Sequence, residues 1–335
     1  MTIKDLARES GYSLGTVSRV LNGHPNVSDK ARKAVMAVVE AQDFEINSNA
    51  KNLKKTQGDS ILIVVKGRGN ELFASMVEQY QEIFARTSYP LIIDYIDELD
   101  SEVRRAGALC REKKPLGVLF LGGTHRNFRE DFAKIQVPAV LVTGSARNLG
   151  FGNLSSVCAD DCEGAVCAVE HLLHSGHRQL LVLGGDLALS DTSRNRYNGC
   201  VEAFRRSGLE FDGNCYYTCR YSYQSGYEAM KRALDDGADC SAVFAMADVI
   251  AIGAIRAIHE RGLRVPQDVS VIGYDGLAIG DFLQPRLSTV AQPVGDMASR
   301  SAALLLEQIE CHTPACHEII PFSLARKESV REVRP

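Results

Sequence analysis

No apolar run in this sequence approaches the ~20 uninterrupted residues that cross a bilayer, and charge enters as early as Lys4 and Asp5. Neither a membrane span nor a secretory leader is expected, and the cytoplasm is the expected location. The ten cysteines, scattered from Cys110 to Cys316, include no CxxC pair, so reduced thiols are expected rather than a disulfide framework. Catalytic signatures are also missing: there is no Walker motif, no HExxH, and no GxSxG elbow between a strand and a helix. An enzyme therefore has no catalytic residues to name. Gly67 and Gly69 fill the first two places of a dinucleotide fingerprint, but Leu72 stands where the third glycine belongs. A nicotinamide-dependent enzyme remains an alternative, and no cofactor is expected. Cys311-His312 and Cys316-His317 match no standard zinc spacing and read as a plain loop, so no metal is expected either.

What is present is a division of charge. The chain of 335 residues is 45% hydrophobic, enough for two or three cores, and carries a formal net charge of -4. Residues 1–57 nevertheless hold nine Lys/Arg against six Asp/Glu, a net of +3, which leaves -7 on the remainder. A basic unit on an acidic body points to DNA at one end. Because +3 neutralises few phosphates, two copies are needed for useful affinity, and a homodimer is expected.

The basic end has the pattern of a helix-turn-helix. Thr2 and Asp5 are spaced as a capping box, and a helix over Ile3–Ser10 follows. Gly11 suits the left-handed residue that ends it, and Ser13 caps a second helix running from Leu14 to about Asn22. Val17, Val20 and Leu21 fall on one face, leaving Leu14, Gly15, Ser18 and Arg19 outward. A third helix, capped by Ser28, turns Ala31, Val35, Val38 and Val39 inward.

These residues resemble the N-terminal domain of the lac repressor and purine repressor family. The match runs through Ile3-Lys4-Asp5-Leu6-Ala7, Thr16-Val17-Ser18-Arg19-Val20-Leu21-Asn22, Val27-Ser28, Arg32 and Val35. The resemblance implies double-stranded operator DNA as partner, contacted by Thr2, Leu14, Gly15, Thr16, Ser18, Arg19 and Asn22. Arg19 is the expected bidentate reader of guanine. By composition alone, the polar stretch from Glu45 to Gly58 reads as a flexible linker. In the family this place holds a hinge helix that orders on DNA and drives a leucine into the minor groove. Leu53 is then the wedge, flanked by the phosphate-binding lysines Lys51, Lys54 and Lys55, and Asn47 is also expected at the DNA. Ile46 replaces the usual proline and Lys51 a frequent arginine.

Beyond Ser60, short apolar runs (61–65, 90–96, 117–121, 137–142) alternate with helical stretches, and a second series follows (180–184, 242–246, 269–275). Continuous apolar strands alternating with helices predict parallel sheets covered on both faces. The resemblance continues here through Glu170-His171-Leu172-Leu173, Gly176-His177-Arg178, Arg196-Tyr197-Asn198-Gly199, Asp248-Val249-Ile250-Ala251-Ile252-Gly253, Val265-Pro266 and Val271-Ile272-Gly273-Tyr274-Asp275. It implies an N-terminal all-α helix-turn-helix headpiece plus an α/β periplasmic-binding-protein-like core of two doubly wound parallel-sheet subdomains. The expected division is 1–45 headpiece, 46–58 hinge and 59–335 effector and dimerisation domain. Within the last, one subdomain takes about 59–158 and 292–320, the other about 159–291 and 321–335. A cleft between them is expected to take a small-molecule effector, a sugar or related metabolite, through Phe73, Thr143, Arg194, Arg196, Tyr221, Asp248 and Asp275. Thr143 stands where the family often has aspartate, and Ala247 where asparagine often precedes Asp248. Lys66 and Arg68 are weaker candidates for an anionic group, and His177 is expected to be structural. The closing stretch from Ile319 to Pro335 is expected to follow the last strand and has no leucine heptads, so nothing suggests a tetramer. The rival class is a sugar-binding protein without a DNA role.

Overall fold

The computed structural model describes residues 3–21, 27–42 and 58–333. The chain divides into two compact units, Met1–Thr56 and Gln57–Pro335.

The first unit is three helices, α1 (Ile3–Ser10), α2 (Leu14–Leu21) and α3 (Asp29–Ala41). Leu6, Val17, Val20, Ala31 and Val35 form its core, with Val38, Val39 and Leu21 half-buried at its margin. Gly11 adopts a φ of 72°, a left-handed turn that glycine takes without steric cost. The Ser13 hydroxyl accepts from the Thr16 amide at 3.2 Å, and the Ser28 hydroxyl from the Ala31 amide at 3.4 Å, so both expected caps form. The Gln42 amide donates to Glu9 at 3.3 Å, tying the end of α3 to α1.

The second unit begins with β1 (Ile61–Lys66), α4 (Glu71–Phe84), β2 (Leu91–Ile96), α5 (Glu102–Lys113), β3 (Gly117–Leu121), α6 (His125–Asp131), β4 (Ala139–Val142) and β5 (Leu154–Cys158). The second series is α7 (Asp161–His174), β6 (Leu180–Gly184), α8 (Asp191–Arg206), β7 (Tyr216–Thr218), α9 (Tyr223–Asp235), β8 (Ala242–Ala245), α10 (Asp248–Glu260), β9 (Ser270–Asp275) and β10 (Ser288–Ala291). Then come α11 (Val294–Cys311), β11 (His317–Ile319) and β12 (Ser323–Ala325). One sheet has the order β11-β5-β4-β3-β1-β2, the other β12-β10-β9-β8-β6-β7. All pairings are parallel except β10 with β12. Helices cover both faces, which is why Ile61–Val65 is apolar without alternation. Ile61, Ile63 and Val65 pack with Phe73, Met76 and Tyr80, while Leu62 and Val64 face Phe120, Phe128 and Phe132.

The chain passes between the sheets three times, at 158–161, 291–294 and 319–323, each time beside β5, β11, β10 or β12. The connections thus gather along one edge, and β2 and β7 form the opposite edge. Helices pack closely where side chains are smallest: a Cβ at Gly199 of α8 would stand 2.3 Å from the Cys162 carbonyl oxygen of α7.

The closing stretch departs from expectation, since it contains the last residue of β11, Ile319, and all of β12. Nor is the cysteine–histidine segment a plain loop throughout. Cys311 ends α11, His312 is its left-handed cap with φ 54°, and His317 opens β11 and meets the Ser156 hydroxyl at 2.9 Å. Among the described residues, no His/Cys/Asp/Glu cluster is arranged to hold a metal ion. His177 is buried between the Ser241 hydroxyl at 2.9 Å and the Arg331 carbonyl at 3.2 Å, a structural tie. No helix among the described residues is long and apolar enough to cross a membrane.

Candidate DNA-facing surface and effector cleft

The inward turn of Val17 and Val20 leaves Leu14, Gly15 and Arg19 exposed and Ser18 half-buried on the other side of α2. Among the described residues no ion pair engages Arg19, so its guanidinium is available to a partner. The Thr16 hydroxyl is 3.0 Å from that of Ser13 and so belongs to the cap as well as to the face. Gly11-Tyr12-Ser13-Leu14-Gly15 spells GxSxG, but between two helices and with its serine spent on capping, so it is no nucleophile elbow. Thr2, Asn22, Asn47, Lys51, Leu53, Lys54 and Lys55 lie outside the described residues.

In the larger unit, the carboxyl ends of β1, β2, β3 and β4 face those of β6, β7 and β9 across a cavity of about 730 Å3. That is a size suited to a small organic ligand. Phe73 of α4 and Tyr221 supply its aromatic walls, and Thr143, Arg196, Asp275 and Gln292 supply polar groups. The Tyr221 hydroxyl is held 2.8 Å from that of Ser193. Thr143 has a φ of 70° and Asp275 one of 122°, backbone conformations that residues with a Cβ seldom adopt and that concentrate at binding sites.

Arg196 is 3% exposed. Its Nε and Nη2 each lie 2.8 Å from Asp161 Oδ1, Nη1 donates to the Met246 carbonyl and stands 3.8 Å from Asp275 Oδ1, and the guanidinium lies 3.6 Å over the Tyr274 ring. Gln292 Nε2 donates to Asp275 at 2.9 Å. Burial outweighs these partners and pushes the Asp275 carboxyl up to about 7.

Two expected effector residues are placed elsewhere. Arg194 does not line the cavity: it donates to the Leu187 carbonyl at 2.9 Å and pairs with Asp191 at 2.9 Å, staying on the solvent side of α8. Asp248 is fully buried behind the cavity wall. It accepts from the Thr289 hydroxyl at 2.6 Å and the Leu277 amide at 2.7 Å, and so braces the segment that follows β9. Burial, with the negative charge of Asp275 adding to it, pushes the Asp248 carboxyl up to about 8.

A pH dependence follows. The folded chain holds protons on Asp248 and Asp275 that the unfolded chain releases near the ordinary aspartate value, so their contribution to stability is lost as pH rises through about 7 to 8. Chemical unfolding of the full chain should show a loss of about 1 kcal/mol between pH 7 and pH 8 from these two groups. Asp248→Asn should flatten the slope, and an unchanged slope would mean that Asp248 is ionised throughout.

Sequence reasoning missed a further feature. Arg220, between β7 and α9, reaches Asp97 at 2.6 Å and Glu98 at 2.5 Å in the loop after β2, at the edge opposite the three chain crossings. Nearby, the Tyr223 hydroxyl donates to Glu71. A third link comes from the His125 amide, which donates to Asp191 at 2.7 Å. These links tie the two sheets' loops together at the cleft mouth. More than 120 residues separate Arg220 from its acids, and no local pattern announces the pairing.

Residues 2–47 match the family profile of bacterial regulatory proteins of the lacI family, and residues 169–330 that of a periplasmic binding protein-like domain. The chain is 32% identical over 334 residues to the HTH-type transcriptional regulator MalR of Clostridium butyricum, covering 98% of this chain and 99% of that one. It is 29% identical over 336 residues to the HTH-type transcriptional repressor PurR of Mannheimia succiniciproducens, covering 99% of each. Among solved structures it resembles a complex of the transcriptional regulator CelR with cellobiose, with a TM-score of 0.72, 26% identity and coverage of 98% and 99%. The fold is shared with a lac repressor dimer bound to operator and an anti-inducer, with a TM-score of 0.80, 24% identity and 99% coverage of each chain.

Proposed function

The chain belongs to the lacI family of bacterial regulatory proteins, and on that footing we propose a repressor that binds a near-palindromic operator as a two-fold dimer and is switched by a sugar or related metabolite in the cleft. The carrying observation is the exposed Arg19, engaged by no ion pair among the described residues, beside Leu14 and Gly15 on a helix whose other face is core. With few side chains able to read base edges, recognition rests on Arg19, on a thymine methyl against Leu14, and on DNA shape. Thr2, Thr16, Ser18, Asn22, Asn47, Lys51 and Lys54 are assigned to the same interface, and Leu53 to the minor-groove wedge.

Phe73, Thr143, Arg196, Tyr221 and Asp275 are assigned to the effector. The connections on one edge of the body act as a hinge, so a ligand that favours one angle between the sheets changes the spacing of the two DNA-binding units in a dimer. Induction and corepression are this linkage with opposite signs.

The test is selection from randomised DNA by the full chain, followed by titration of the selected sequence with and without sugars. A near-palindromic consensus bound by a dimer is expected. Recovery of no consensus, or a monomer in light scattering at micromolar concentration with and without DNA, would overturn the proposal.

A further inference from the structure

We propose that the cleft takes an uncharged saccharide and discriminates against phosphorylated and carboxylated sugars; this rests on the reading of the cavity as the effector site. An anionic ligand is held by free cations or by the open amide ends of helices. Among the described residues, the wall of this cavity has spent most of both on itself.

Five cations line it: Lys66, Arg68, Arg196, Arg220 and Arg232. Lys66 is pinned by the buried carboxylate of Glu102, with the Asp100 carbonyl accepting at 2.9 Å. Arg196 is held by Asp161, and Arg220 by Asp97 and Glu98 across the mouth. Arg232 donates to the Thr218 carbonyl at 2.8 Å. Among the described residues Arg232 has only that carbonyl, and Arg68 has no hydrogen-bond or ion-pair partner. It stands exposed at the rim, where Arg220 chiefly, and Arg68 to a lesser degree, hold Asp97 below the usual carboxylate range.

The helix ends are closed in the same way. Asn70 caps α4 at the Leu72 amide (3.1 Å), Ser190 caps α8 at the Ser193 amide (3.1 Å), and Ser222 caps α9 at the Ser225 amide (3.2 Å). At α6 the Thr124 amide is taken by Glu102 and the His125 amide by Asp191, each at 2.7 Å. A phosphate entering the cleft would have to displace an existing carboxylate, hydroxyl or side-chain amide oxygen at each of these points.

Against these five cations stand Asp97, Glu98, Asp186 and Glu228 on the wall and the buried partners Glu102 and Asp161 behind it, so the cavity offers no net positive field even with Asp275 protonated. The upward displacement of the Asp275 carboxyl to about 7, despite Arg196 nearby, marks a floor that resists added negative charge. Neutral hydroxyls meet no such obstacle. Carboxylates, the Gln292 amide and the Thr143 hydroxyl can accept from or donate to them, and Phe73 and Tyr221 offer faces to the C–H side of a sugar ring.

Isothermal titration of the full-length protein with ribose, glucose, maltose and cellobiose, and with glucose 6-phosphate, trehalose 6-phosphate, gluconate and guanine, tests this. A neutral sugar should bind at least thirtyfold more tightly than any charged compound in the set. Equal or tighter binding of a phosphate ester or acid, or response to guanine alone, would overturn the proposal while leaving an effector cleft in place. Silence of every compound would overturn the effector reading and this proposal with it. The variant D97N/E98Q, whose side chains are partly exposed, frees Arg220. It should shift the affinity ratio at least tenfold toward the phosphate ester of the sugar that binds, and an unchanged ratio would show that Arg220 is not the cation withheld.

Discussion

Arg196→Leu is expected to destabilise the body by about 3–5 kcal/mol and to abolish stabilisation by any cleft ligand. The size of the effect comes from what the guanidinium leaves behind. Asp161 and Asp275, both buried, lose their shared cation, and the Tyr274 ring loses the group stacked on it. Leucine restores much of the volume but no charge, so the loss reports uncompensated carboxylates rather than a cavity. The pH course makes this separable. Without the cation both acids hold their protons more firmly in the folded state, so the variant should lie closest to the parent near pH 5 and fall away as pH rises toward 8. Adding Asp161→Asn to Arg196→Leu should recover part of the stability, because both partners of the buried pair are then gone. Unfolding midpoints equal to the parent at pH 8 would make Arg196 a solvated surface residue and remove it from the site.

The contrast between Arg194 and Arg196 shows how far the sequence could be read. Both lie in the first turns of α8, and two residues along a helix are roughly 200° apart around its axis, so only one of them can face the cleft. Helical periodicity alone could have separated them. Asp248 is different: the partners that draw it away from the cavity, Leu277 and Thr289, are 29 and 41 residues distant, and its Oδ1 lies where a Cβ on Gly273 would come within 2.1 Å. That placement is a tertiary fact with no local signature. The same holds for the ties across the mouth.

At the level of the fold, the division was similar. Ile61–Val65, Gly117–Leu121 and Leu180–Gly184 could be recognised as buried parallel strands because apolar runs without alternation need cover on both faces. β7, β11 and β12 span three residues each at or next to sheet edges and take their register from a neighbour, as Val182 pairs with Tyr216 and His317 with Ser156. β5 was hidden for another reason. Its Ser155 and Ser156 are buried polar residues satisfied by Gln308 and His317, which breaks the apolar run that would have marked it.

Removing the headpiece should eliminate DNA binding, and Arg19→Ala should remove its selectivity while leaving most of its salt dependence. A chain starting at Ser60 loses a net +2 and keeps an acidic body of -6, so no net electrostatic attraction to phosphates remains. Within the intact chain, the terms differ by residue. If Arg19 pairs with a guanine edge, its loss costs about 1–3 kcal/mol per half-site, roughly 5- to 150-fold in preference for the selected operator over mixed-sequence DNA. Lys54 lies in the basic stretch assigned to the backbone. Lys54→Ala should lower the dependence of log affinity on log salt by about one per site while leaving that preference nearly intact. Fluorescence anisotropy across 50–200 mM salt separates the two. An Arg19→Ala protein with undiminished preference would move base reading to another face of α2, and a chain from Ser60 that bound as well as the whole would leave a sugar-binding protein whose helical end has no part in DNA recognition.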